Sequence, residues 1–145
     1  MTFGSGLPAV IVDASAAMAF LAGDEAWLER WTAWTEAEAM VLAPPHFSVE
    51  VANALLRSAR IPAIDAPARL ARLYATGIEV ADRGLAGLVA AIELADRHGL
   101  SVYDAIYLDL ALDVEAELAT LDRDLARAAA AEGVPLTALT CSIGA

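Results

Sequence analysis

Ala9-Val10-Ile11-Val12-Asp13 decides the fold. Four apolar residues, three of them aliphatic with two β-branched valines and an isoleucine, follow Gly6 and Pro8 and stop at a carboxylate, the pattern of a short strand buried on both faces of a parallel sheet. Outward from it, strand-like and helix-like segments alternate. Ser15 to Leu21 and Glu25 to Ala39 read as helices, and Trp27, Leu28, Trp31 and Trp34 form a stripe on the second that suits a core or an interface. Met40 to Ala43 is a second strand. Pro44-Pro45 opens a helix to about Ala59, since proline is tolerated in a first turn. Asp65 to Ala75 is helical, Ile78 to Val80 a short strand, and Gly84 to His98 a helix closed by Gly99. Ser101 to Val114 carries helical spacing, Leu118 to Leu121 is a strand, and Asp122 to Glu132 a helix ended by Gly133. Val134-Pro135-Leu136 starts an edge strand, because proline is excluded from a sheet centre. The expectation is one α/β domain over residues 1–145, with 1–7 an irregular N-terminal arm.

Composition bounds what this domain does. The chain has 145 residues, 59% hydrophobic, with 35 alanines, enough to bury a core and too apolar for disorder. Twenty acidic residues against nine basic ones give a net charge of −11, which argues against a general nucleic-acid coat or an anionic-membrane binder. All nine basic residues are arginine, so Schiff-base and Walker-lysine chemistry is absent, and so is the lysine a phosphorylated receiver site needs. A haloacid-dehalogenase-type phosphatase would want an aspartate where Ser15 stands. Cys141 is the single cysteine, near the C-terminus, and favours a reducing cytoplasm. Neither an export signal nor a long purely apolar run is seen, so a soluble cytoplasmic protein is expected.

In an open parallel sheet the reactive crevice lies beyond the carboxyl ends of the strands. Asp13 and Asp122 both follow strands, and each also suits a helix N-cap. Glu50 lies in a polar stripe with His46, Asn53 and Arg57, otherwise a solvated helix face. Ser101 to Asp104 reads as a capping box with aspartate at its fourth position. Capping explains each acid singly and leaves unexplained why all four fall near one edge of the derived sheet. Gathered carboxylates repel and raise one another's pKa unless a cation joins them, and oxygen-only ligation suits Mg²⁺ or Mn²⁺. The chemistry this points to is metal-assisted phosphodiester hydrolysis.

Val10 to Ser15, Pro45 to Leu56, Leu100 to Leu108 and Ala119 to Leu125, in that order and spacing, resemble the successive motifs of the PIN-domain ribonucleases, and most closely those of VapC-type toxins of toxin–antitoxin pairs. The resemblance implies a three-layer fold with a five-stranded, mostly parallel sheet flanked by helices. It implies a Mg²⁺- or Mn²⁺-dependent endoribonuclease, a homodimer, silenced by a cognate antitoxin. Asp13, Glu50, Asp104 and Asp122 match the acidic quartet, with Asp13 and Asp104 as metal ligands. Ser15, Asn53 and Thr120 match the small polar positions that orient the carboxylates. Asp124 is a substitute for Asp122 better suited to the helix surface. Arg57, Arg60, Arg123 and Arg127 are the cations left for RNA, and an antitoxin would cover the Trp31 and Trp34 side of the helices. A catalytically weak scaffold that works by binding proteins is the alternative.

Overall fold

The computed structural model describes residues 2–3 and 7–139, with side chains from residue 8 onward. Cys141 lies outside the described residues, as do Met1 and residues 4–6 of the expected arm. Thr2–Phe3 of that arm is not irregular: it forms strand β1, paired antiparallel with the start of β2, Leu7–Val12.

β2 is the middle of the fold. Ala9, Val10, Ile11 and Val12 are all buried, as a doubly covered strand requires. On one side it pairs in parallel with β3, Met40–Ala43, which pairs in parallel with β4, Glu79–Val80. On the other it pairs in parallel with β5, Glu117–Ala119. The parallel body therefore runs β4-β3-β2-β5, and the fifth strand of the sheet is the N-terminal β1. The edge strand expected at 134–136 is reduced to one parallel bridge, Leu118 to Leu136, flanked by two backbone hydrogen bonds. Pro135 has no N–H to extend it.

Helices fill every crossover and flank the sheet. α1, Ala14–Leu21, and α2, Glu25–Glu36, lead to β3; α3, Phe47–Arg57, and α4, Ala66–Tyr74, lead to β4. α5, Gly84–His98, and α6, Val102–Val114, lead to β5, and α7, Arg123–Ala131, closes the order. Gly99 takes the left-handed conformation that ends α5, the conformation glycine adopts without steric penalty.

Two expectations need correction. The tryptophan stripe faces inward: Trp27, Trp31 and Trp34 are buried, Trp31 stacks on Phe20 at 4.5 Å, and its indole N–H donates to Thr76 Oγ1 at 3.2 Å. The chain itself covers most of that side, and what it leaves for an antitoxin there is an opening where Trp31 and Trp34 meet Thr35, Glu38 and Thr76. Second, β5 ends at Ala119, not Leu121, because the next backbone groups leave the ladder. Leu121 N–H donates to Ser15 Oγ at 2.8 Å and Asp122 N–H to Thr120 Oγ1 at 2.9 Å. Among the described residues no helix is long and apolar enough to cross a membrane.

Candidate functional site

Two adjacent parallel strands end side by side, and their last residues set the site. Asp13 N–H donates to Ala119 O at 3.1 Å, which carries the β2–β5 pairing one residue beyond β2 and lays Asp13 beside Thr120. The Asp13 carboxylate is buried and held from three directions. Oδ1 accepts from Ser15 Oγ at 2.6 Å and from Ala16 N–H at 2.9 Å, and Oδ2 accepts from the Thr120 hydroxyl. Each hydroxyl in turn accepts a backbone N–H from the β5–α7 connection, so donors and acceptors alternate around a small closed network. Burial pushes the Asp13 carboxyl above its ordinary pKa against the pull of these hydrogen bonds, and repulsion from Asp122 adds to the rise.

Asp104 stands in the first turn of α6, where its N–H donates to Ser101 Oγ at 3.1 Å. That is one half of the expected capping box, with Ser101 as the N-cap. Its carboxyl is also raised, first by burial and then by repulsion from Asp122 and, more weakly, Glu50; His46 pulls the other way. Asp122 caps α7, its Oδ1 accepting Leu125 N–H at 2.9 Å. Asp13 and Asp122 thus both start helices, as capping requires, and they are close enough for Asp122 to repel the Asp13 carboxylate.

Glu50, one turn into α3, is fixed by two residues the sequence reading did not assign to the site. Tyr107 OH donates to Glu50 Oε1 at 2.5 Å, and His46 Nε2 lies 3.5 Å from the same oxygen. Tyr107 is buried, and burial followed by its bond to Glu50 drives the phenol pKa far upward, so it stays a neutral donor; the charges of Asp13 and Asp104 reinforce this. Tyr107 was legible only as one position of an apolar period. The signal that could have found it is its place one turn beyond Asp104, on the same helix.

Asn53 is exposed and, among the described residues, has no hydrogen bond to any of the four acids, so the structure gives it no orienting contact. Asp124 is exposed and paired with Arg127 at 2.9 Å, away from the cluster. Among the described residues no three carboxylate, imidazole or thiol groups converge into a ready metal cage. The donor set is nevertheless oxygen-only, partly buried and mutually repelling, which suits a hard divalent ion held by one or two carboxylates and otherwise by water.

The PIN domain family model matches residues 10–131. Among solved structures, PAE2754 from Pyrobaculum aerophilum is 26% identical over 84% of this chain and 86% of that chain, with a TM-score of 0.62. VapC20 of Mycobacterium tuberculosis, described as a sarcin–ricin-loop-cleaving toxin, is 24% identical over 82% and 94%, with a TM-score of 0.64. VapBC2 from Rickettsia felis, solved bound to a DNA fragment from its promoter, is 12% identical over 91% and 99%, with a TM-score of 0.71. No curated protein sequence gives a significant match.

Proposed function

This chain belongs to the PIN domain family, and on that premise we propose that it is a Mg²⁺- or Mn²⁺-dependent endoribonuclease acting in the cytoplasm as the toxin of a toxin–antitoxin pair. The observation that carries the reading is the buried Asp13 carboxylate, gripped by Ser15 and Thr120 and repelled by Asp122, which repels Asp104 in turn, with no cation paired to Asp13 among the described residues.

Asp13 and Asp104 are the residues that would hold the metal. When bound, such an ion polarises a phosphodiester oxygen and lowers the pKa of a coordinated water. Ser15 and Thr120 fix the Asp13 carboxylate, so that it does not swing when substrate arrives. Tyr107 occupies Glu50 Oε1 and leaves Oε2 to accept a proton from an attacking water. Asp122 keeps the α7 terminus in place and adds the negative charge that makes a divalent cation welcome. Catalytic roles are assigned to Asp13, Glu50, Asp104 and Asp122.

The test is cleavage of cellular RNA by purified wild type, Asp13→Ala and Glu50→Gln, each with Mn²⁺ and after chelation. Cutting by wild type with Mn²⁺ only, and by neither variant, is the expected result; undiminished cutting by Asp13→Ala sinks the reading.

A cognate antitoxin and a second copy of the chain are the protein partners of this proposal. A second reading, a scaffold with weak or no catalysis, draws on one observation: Leu85, Leu88, Val89 and Ile92 form an exposed apolar row along α5. Tight binding of a partner by a chain with no metal affinity would favour it.

A further inference from the structure

With a net charge of −11, this chain has little Coulombic attraction for a phosphate backbone. That leaves base contacts to supply much of the grip on a nucleic-acid substrate. Next to Asp104, Tyr103 projects from the first turn of α6 with 65% of its surface exposed, and its ring lies 5.7 Å from that of His46, the planes tilted by 55°. His46 is held in that attitude by Tyr103 O, 3.1 Å from its Nε2, and by Tyr107, whose ring it meets edge-on at 5.0 Å. The two rings lie in contact, with half-buried His46 behind and the exposed ring of Tyr103 at the rim of the carboxylates.

His46 also borders a cleft. Tyr103, Ile106 and Leu110 share one face of α6, and Ile106 and Leu110 line a mostly apolar cleft of about 280 Å³ whose other walls include Pro45, His46 and Arg83. Its size suits one planar ring system. Its charge excludes a phosphate: Arg83 is bound by Asp109 through two hydrogen bonds, 3.1 and 2.9 Å, lies 3.6 Å from Asp113, and Asp82 adds another carboxylate to the lining. A neutral, flat, aromatic group suits both the exposed Tyr103 ring and the cleft.

We propose that Tyr103 captures an unpaired nucleobase of the substrate strand beside the scissile phosphate, stacking it on the exposed side of its ring, which His46 backs at the mouth of the Arg83 cleft. This rests on the nuclease reading and adds the side chain that holds its substrate strand. Unpaired bases stack on aromatic side chains with little regard to sequence, whereas bases inside a duplex are not free to do so.

The experiment measures binding of a fluorescent single-stranded oligoadenylate, with Ca²⁺ replacing Mg²⁺, to wild type, Tyr103→Leu and Tyr103→Trp. An oligomer of the same length with abasic positions serves as the second probe. Loss of a stacked base predicts that Tyr103→Leu binds oligoadenylate about 5- to 100-fold more weakly, while Tyr103→Trp holds it as wild type does. The abasic strand binds all three proteins equally weakly. Equal binding of oligoadenylate by wild type and Tyr103→Leu overturns the proposal and leaves this face to a protein partner, as does an abasic strand bound as well as oligoadenylate. If wild type binds neither strand, the thermal shift with Mn²⁺ separates the causes. A shift present means that only the stacking proposal fails, and a shift absent means that the nuclease reading fails with it.

Discussion

Asp104 and Asp13 carry the clearest consequence at the scale of single residues. Both carboxyls have folded-state pKa values above their ordinary 3.8, so above that pH the folded chain binds more protons than the unfolded one. Their contribution to metal-free stability is therefore present at low pH and lost as pH climbs through the raised pKa values. Asp104→Asn removes its share of this loss. In chelator, the variant should unfold at a higher temperature than wild type at neutral pH, and the difference should shrink as pH falls toward 4. Adding Mn²⁺ at about 100-fold over its dissociation constant should stabilise wild type by about 2.7 kcal/mol and the variant hardly at all. A thermal scan across pH, with and without Mn²⁺, checks both parts. Ser15→Ala should cost about 1.5–3 kcal/mol, the worth of a hydrogen bond to a charged group, measured by urea unfolding above pH 6. At this scale the sequence was informative where chemistry forces a residue type: a carboxylate after a strand, a hydroxyl beside it. Tyr107 and His46 stayed hidden because their partner is 57 residues away for Tyr107 and, for His46, a stripe that reads equally well as solvated surface.

Among the elements, the α5–α6 pair makes the sharpest prediction. Gly87 sits inside α5, where alanine would ordinarily be favoured by about 1 kcal/mol. Here a Cβ would come within 2.3 Å of Arg83 Cβ and 3.1 Å of Asp109 Oδ2, so the gain is reversed. Gly87→Ala should destabilise the fold by about 1–3 kcal/mol, as overpacking does, read from denaturant midpoints. Arg83→Ala should cost about 3 kcal/mol, because it leaves the buried Asp109 carboxylate without its guanidinium. Helix and strand identities were legible here from period and punctuation: α5 begins at Gly84 and ends at His98, where its glycine cap places it. Strand ends were less so. β5 is short because Leu121 and Asp122 spend their N–H groups on side-chain hydroxyls, and for Leu121 that hydroxyl belongs to Ser15, 106 positions away. The orientation of the tryptophan stripe was undecidable from α2 alone, since Phe20 and Thr76, which cover Trp31, belong to other elements.

For the whole molecule, the mostly parallel sheet followed from the alternation of strands and helices along the sequence, whereas the order β4-β3-β2-β5 left no trace in it. Nor did the N-terminal strand β1, because a two-residue pairing leaves no periodicity to read. Net charge sets a last expectation. If bases rather than phosphates supply the grip, binding of single-stranded RNA should weaken only slightly with salt, with a slope of log affinity against log salt no steeper than about −1.4, the value for two neutralised phosphates. Titrations between 50 and roughly 200 mM salt measure it, on the range where a phosphate-dominated binder changes by orders of magnitude.

Asp13 and the Thr120 hydroxyl that fixes it are 107 residues apart in the chain. A ribosome adds about 5–20 residues each second, so the acid emerges roughly 5–20 s before its partner has been made. Throughout that interval the nascent polypeptide has the first carboxylate without the hydroxyl that holds it, and the pair is made only when the last parallel strand docks beside the first.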